Sequence, residues 1–365
     1  MKLGYEYFQD LVSRSFFEQI DDHSLVHGRR DAKRAIMDRL LSDDAKMKGL
    51  EVIAIVGMGG IGKTTLVKFV CDDRAVEEWF DLKTWAHVSQ VFDVIKLTKY
   101  ILKWVGLSDC DAMTPEQLQC ELEKKVSGKK ILVVLDNVWS DNQAQCDFLI
   151  TLLQSGARGS KIVVTTSNKN IMTALQNVST YQLQRMSFYD CWSLFSEYAF
   201  SGENCNARSL FEETFRSEIV GKCDGLPLAA RSLGCLLKSR TDVEGWTEIL
   251  ESNVWKQRSE GVHPALRASY DDSPSYLKRS FAYSATLPKG HVFTKEELVL
   301  WWMAEGFLVL HDGNMEMKLG YGYFQDLVSR SFFEQIDDHS IVHGRHDAKH
   351  AIIDRLLSDD AKMKG

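Results

Sequence analysis

The segment IVGMGGIGKTTLV, residues 55–67, places an apolar run, four glycines, a lysine and two threonines in a telling order. Gly57 to Thr64 satisfies the pattern G-x-x-x-x-G-K-[ST]. Upstream, LEVIAIV (50–56) reads as a short buried strand. Downstream, TTLVKFVC has helical character. A strand, a glycine loop and a helix in this order form the context of a phosphate-binding loop. Gly57, Gly59, Gly60 and Gly62 let backbone N–H groups converge on phosphate oxygens without side-chain clashes, and Thr65 belongs to the same cradle. The positive end of the following helix faces the same point. Lys63 is expected to bridge the β- and γ-phosphates and serve catalysis, and the Thr64 hydroxyl to ligate Mg²⁺. A second motif, ILVVLD, ends a strand on Asp136, a carboxylate expected to hold Mg²⁺ and take part in any hydrolysis.

Outward from the loop, DLKTWAHV (81–88), KKILVVLD (129–136) and GSKIVVTT (159–166) are further strand candidates. A helix starts at Thr114, which forms a capping box with Gln117 ahead of Pro115. Strands alternating with helices predict an α/β P-loop NTPase domain with a parallel sheet and flanking helices. That alternation stops near Leu183, and the rest of the chain reads helical. Ser187 and Asp190 cap a helix whose Trp192, Phe195 and Ala199 share a face, and Phe211, Phe215 and Ile219 form a second stripe. Gly225 stops a helix and Pro227 starts the next. Thr294 and Glu297 cap HVFTKEELVLWWMAEGFL. The fold class is therefore an α/β P-loop domain followed by a small helical module and a compact mixed module. Their expected bounds are 24–183, 184–255 and 256–340. No Gly/Ser-rich or Pro-rich linker separates them, so they are expected to pack together.

Composition narrows the function. The chain has 365 residues, 44% hydrophobic, enough to bury a sizeable core. A net charge of −7 argues against general affinity for nucleic acid or anionic membrane, so no nucleic acid partner is expected. MKLGYEYFQDL is not a signal peptide, and LVLWWMAEGFLVL (298–310) is too short for a membrane span and contains Glu305. Eight scattered cysteines without a close CxxC pair suit a cytoplasmic protein.

Residues 1–49 recur at 317–365, differing only at Glu6/Gly322, Leu25/Ile341, Arg30/His346, Arg34/His350 and Met37/Ile353. The separation is far longer than the ~20–50-residue periods of stacked arrays, so the repeat reads as a tandem duplication of a larger unit. If that unit folds once, residues 1–23 are an orphan copy of the end of the third module, and 341–365 a truncated copy of the leader before the phosphate loop.

The ordered motifs resemble one family. VHGRRDAKRAIMDRLLSDD, GMGGIGKTTL, FDLKTWAHVSQVFDV, ILVVLDNVW, GSKIVVTTS, YQLQRMSFYDCWSLFSEYAF, GLPLAA and LKRSFAYSATLPKGHVFTKEELVLWWMAEGFL resemble the NB-ARC region of plant nucleotide-binding leucine-rich-repeat disease resistance proteins. Trp139 resembles the coiled-coil class. The resemblance implies a three-part body, a P-loop domain, a four-helix module and a winged-helix module, closing over ADP, with ATP favouring an open, oligomerising state; it makes residues 1–23 an orphan copy of the winged-helix end. It implies ADP or ATP with Mg²⁺ as cofactors, and self-association or pairing with related receptors. Val26 and the backbone of LVHGR would line the adenine pocket, and Pro227 would pack near the nucleotide. Trp85, Trp192, Trp301 and Trp302 read as core aromatics.

Four departures qualify this. Asn137 stands where the family usually has a second aspartate, and an amide cannot accept a proton as a carboxylate does. Ser167 stands where it usually has an arginine sensing the γ-phosphate, and Lys169 lacks that arginine's planar fork. After LVSRSFFEQIDD the chain restarts its leader, so Arg345-His346-Asp347 reads as duplicated leader rather than the family's Met-His-Asp latch. No coiled-coil domain or leucine-rich repeat is recognised. His343, His346 and His350 align with His27, Arg30 and Arg34, so no metal site is read there. The expectation is an ADP/ATP-binding switch of plant innate immune signalling, truncated or rearranged, with weak or no hydrolysis. The alternatives are a slow ATPase and a non-catalytic adaptor or decoy. The spare apolar segment 1–22, with Tyr5, Tyr7, Phe8, Leu11, Phe16 and Phe17, would compete for the winged-helix slot or dock on a neighbour. Deleting it should sharpen the monomer peak in size-exclusion chromatography; an unchanged profile and melting curve would count against that reading.

Overall fold

The computed structural model describes residues 27–42, 50–88, 94–107, 110, 112–138, 149–151, 153–168, 178–201, 205–240, 242–256, 263–287, 292–308, 313–330, 332–335 and 341–344. Five parallel strands form the first module in the order β2-β3-β4-β1-β5. They are β1 (Glu51–Val56), β2 (Leu82–His87), β3 (Ile131–Asp136), β4 (Lys161–Thr166) and β5 (Val178–Gln182). Every residue of β1, β3 and β4 is buried, as expected of central strands covered on both faces. The two-residue period splits them between two cores. Ile53 and Ile55 face one, and Val52 the other. The helices of this module include α1 (Arg30–Leu40), α2 (Lys63–Cys71), α3 (Arg74–Trp79), α4 (Val94–Trp104) and α5 (Pro115–Val126). The expected capping box on α5 is present: Gln117 N–H donates to Thr114 Oγ1 at 3.4 Å, and Thr114 N–H to Gln117 Oε1 at 2.9 Å.

The four strands read from the sequence are present within two residues of the expected bounds. Strand β5 was not anticipated. VSTYQ is polar, sits at the sheet edge beside β1, and carries neither an apolar run nor clean alternation.

The helical module comprises α6 (Phe188–Ala199), α7 (Cys205–Cys223), α8 (Pro227–Lys238) and α9 (Val243–Glu251), with α10 (Pro264–Asp271) packed on α8. Ser187 caps α6 by accepting the Asp190 N–H at 3.1 Å. Trp192, Phe195 and Ala199 are buried on one face, and so is the Phe211, Phe215, Ile219 stripe. Trp246, 2% exposed, gathers the rings of Phe195, Phe200, Phe211 and Phe215 around itself. One continuous cluster runs from Ile36 and Leu66 of the P-loop domain to Leu233 and Trp246 of the helical module. The two modules share a core, which is why no linker composition marks their junction.

The third module has its own core, in which Phe281, Phe293, Trp302, Phe324 and Phe333 are buried. It contains α11 (Ser275–Tyr283), α12 (Lys295–Ala304), α13 (Gly313–Ser329), and the antiparallel sheet β6-β8-β7. Thr294 and Glu297 make the expected capping box on α12. The sheet corrects one boundary. Strand β8 (Ile341–Gly344) lies between β6 (Val292–Thr294) and β7 (Phe333–Gln335), so the winged-helix module continues past residue 340. A duplicated leader was expected to be left over there. Its first residues are instead recruited by two strand edges that supply backbone partners on both sides. Residues 1–23 and 345–365 lie outside the described residues.

Candidate functional site

The loop 57–62 leaves the C-terminal end of β1 and turns into α2. Its path requires glycine. Gly60 has φ +73° and Gly62 φ +91°, both left-handed. At Gly57, a Cβ would lie 2.9 Å from Ile61 Cγ2. The Lys63 ammonium donates to the carbonyls of Gly57 (2.8 Å) and Met58 (3.1 Å), folded back over the start of the loop. The cradle holds the glycine set, the lysine and the first amides of α2 together. It therefore fits a polyphosphate.

Asp136 ends β3 beside this loop and is 3% exposed. Its carboxylate accepts from the Thr64 hydroxyl at 2.9 Å (Oδ1) and 3.2 Å (Oδ2), and from the Thr165 hydroxyl at 2.5 Å. A buried carboxylate aimed at a threonine hydroxyl is the oxygen donor set that suits Mg²⁺, which keeps waters and substrate phosphates as its remaining ligands. Thr165 also accepts the Asn137 N–H at 2.9 Å. Asn137 itself sits at φ +64°, a left-handed conformation in which asparagine is enriched.

The helical module reaches into the loop. The first amides of a helix have no intrahelical partner. Leu228, in the first turn of α8, gives its N–H to the Gly60 carbonyl at 3.2 Å. Pro227 occupies the first position of α8, and its Cγ would be 3.7 Å from a Cβ on Gly62. Gly225, at φ +65°, packs so closely on Arg185 and Met186 that a Cβ would meet both at 2.9 Å. Its carbonyl accepts the Met186 N–H at 2.9 Å.

Two further residues position the loop and were not read from the sequence as such. Arg29, 6% exposed, donates to the Ile61 carbonyl and to the Gln184 carbonyl, both at 2.7 Å. It ties the loop to the end of the sheet. Burial pulls its pKa down from the ordinary value, with Tyr181 and Asp190 opposing. The signal was present in VHGR, but a single sequence gives no mark that this arginine is buried. Arg185 pairs with Asp224, and lies 4.0 Å from Met58 Sδ. Ser167 and Arg185 line one cavity of about 520 Å³ with Gly57 and Met58. Thus the structure brings Gly57, Gly60, Gly62, Lys63, Thr64, Asp136 and Pro227 to one place, and Gly59 and Thr65 flank them in the loop and first turn of α2. Val26 and Lys169 lie outside the described residues. Trp192 and Trp302 are buried in the cores, as expected.

A parallel sheet, a glycine loop with its lysine and a strand-end aspartate define a P-loop NTPase fold, here followed by a winged-helix module. The fold has a counterpart in a signal transduction ATPase with numerous domains and a tetratricopeptide repeat sensor from Pyrococcus horikoshii. That match has TM-score 0.56 and 14% identity, over 90% of this chain and 42% of that one.

Residues 29–205 match the NB-ARC domain, and 287–359 the disease resistance protein winged helix domain. The disease resistance RPP13-like protein 1 of Arabidopsis thaliana is 40% identical over 329 residues, covering 88% of this chain and 31% of that protein. Disease resistance protein RGA2 of Solanum bulbocastanum is 36% identical over 339 residues, covering 91% of this chain and 35% of that protein. The chain carries an NB-ARC domain and a disease resistance winged helix domain, and spans about a third of the length of these curated relatives. The winged-helix match, running to 359, agrees with the place of β8 inside that module.

Gly60→Ala tests the loop contact. A methyl there meets Leu228 Cβ and Cδ2 at 2.8 Å and must also hold φ +73°. The backbone strain alone is expected to cost about 1–3 kcal/mol. A thermal melt should show the loss, and Leu228→Ala in the same chain should recover only the part due to Leu228 Cγ and Cδ2, since alanine keeps the Cβ. An unaltered melt for Gly60→Ala would contradict the geometry.

Proposed function

We propose that this chain is an adenine-nucleotide-dependent switch of plant disease resistance signalling, acting in the cytoplasm, in which the helical module reads the state of the loop. The observation that carries the reading is the bond from Leu228 N–H to Gly60 O. It joins the module boundary to the phosphate cradle itself. Gly57, Gly59, Gly60, Gly62 and Thr65 would hold the phosphates of ADP or ATP, with Lys63 leaving the Gly57 and Met58 carbonyls to meet them. Thr64 and Asp136, already in contact, would hold Mg²⁺, which neutralises phosphate charge. Family resemblance assigns Val26 to the adenine pocket and packs Pro227 near the nucleotide, where it stands beside Gly62.

Hydrolysis is expected to be weak. Asp136 is occupied by two threonine hydroxyls, and Asn137 offers no carboxylate to activate water. The chain would then hold nucleotide longer than it converts it. Bound nucleotide would add stability by mass action, about 4 kcal/mol at 1,000 times its dissociation constant. Self-association, or pairing with a related receptor, would follow from opening of the shared core between the first two modules.

The test is to denature the purified chain and identify released nucleotide by chromatography, with Lys63→Ala in parallel. Copurified ADP, lost in Lys63→Ala, and negligible phosphate release are the expected results. Sustained release above a few phosphates per minute would instead favour a working ATPase. A wild-type chain free of nucleotide, folded like Lys63→Ala, would overturn the switch and favour an adaptor.

A further inference from the structure

We propose that Arg185 reads the terminal phosphate of a triphosphate at the loop, and that doing so releases the helical module; this rests on the proposed nucleotide switch. The cavity of about 520 Å³ is walled by Gly57, Met58 and Ile61 of the loop, by Ser167 beyond β4, and by Arg185 beyond β5. Arg185 is its cationic wall residue. Two cations flank the Gly57–Met58 segment, one at its backbone and one at the Met58 side chain. Lys63 covers its carbonyls, and the Arg185 guanidinium lies 4.0 Å from the Met58 sulfur. The phosphate farthest along the chain of a bound nucleotide would therefore emerge between Lys63 and Arg185. A serine at 167 supplies no charge on the opposite wall.

Arg185 is held elsewhere, but loosely. It pairs with the Asp224 carboxylate and donates to the Asp224 carbonyl at 3.2 Å. Both side chains are about half exposed, at 47% and 54%, so water competes with the pair and it contributes little. A terminal phosphate in the cavity offers two charges and a geometry that a guanidinium matches with two parallel bonds. The exchange has a mechanical consequence. Asp224 begins the turn that carries Gly225, Pro227 and Leu228, and it holds a left-handed φ of +52°. Losing the Arg185 contact loosens the turn whose Leu228 N–H is bonded to Gly60. A diphosphate ends short of the cavity and leaves the pair in place. The structure thus links one phosphate to the docking of α8.

Equilibrium titration of the chain, stripped of nucleotide, with fluorescent ADP and ATP analogues tests this. Arg185→Ala is expected to weaken ATP about 10-fold, as loss of a charge-assisted pair should, and to change ADP less than 2-fold. Arg185→Lys should recover part of the ATP affinity. Asp224→Asn keeps a residue that tolerates the left-handed backbone and removes the competing charge. It should raise ATP affinity relative to ADP. Equal losses of both nucleotides in Arg185→Ala, or no change in either, would overturn the assignment while leaving the switch standing. Failure of the wild-type chain to bind either nucleotide would overturn the switch and this reading together.

Discussion

The bond between the first turn of α8 and the carbonyl of Gly60 is the point at which the architecture of this chain depends on its phosphate loop. It exists because two constraints coincide. A helix start leaves amides without partners, and a glycine at φ +73° turns a carbonyl outward and leaves no Cβ in the way. Leu228 fills the space that any other residue at 60 would occupy. The loop is thus shaped as much by its protein neighbour as by the anion it is built to cradle. Through this bond the loop touches α8, and α8 belongs to a core that spans two modules.

Much of this was legible in the sequence because the relevant signals are local. Capping boxes at Thr114 and Thr294 are set by residues three positions apart, and both form. The buried strands β1, β3 and β4 are continuous apolar runs, and Gly57 to Thr64 is a contiguous motif. The unread parts are those fixed by distant partners. Strand β5 is polar and exists because β1 offers an open edge. Arg29 is buried because two carbonyls, at Ile61 and Gln184, are brought to it from far along the chain. Arg185 looks like any surface arginine until Met58 and Asp224 stand beside it.

The duplicated segment makes the same point within one molecule. Val-His-Gly occurs at 26–28 and 342–344. In the first copy His27 and Gly28 form a turn ahead of α1, with His27 bonded to Glu197 at 2.7 Å. In the second copy the same residues lie in β8, between β6 and β7. Local preference is the same in both places, so the neighbours decide. Duplication alone leaves 341–365 over as a spare leader, whereas its first residues form β8 and carry the winged-helix module past 340. Asn137 and Ser167 show the complementary limit. The sequence identifies a missing charge at once, but only the folded arrangement shows another cation, Arg185, on the same cavity.

If nucleotide state governs the contact between the loop and α8, hydrogen–deuterium exchange of the amides at 225–230 will differ between chain saturated with ADP and chain saturated with a non-hydrolysable ATP analogue. Slow exchange of the Leu228 amide is expected with ADP, and markedly faster exchange with the triphosphate. Equal protection in both states, with both nucleotides bound, would contradict it.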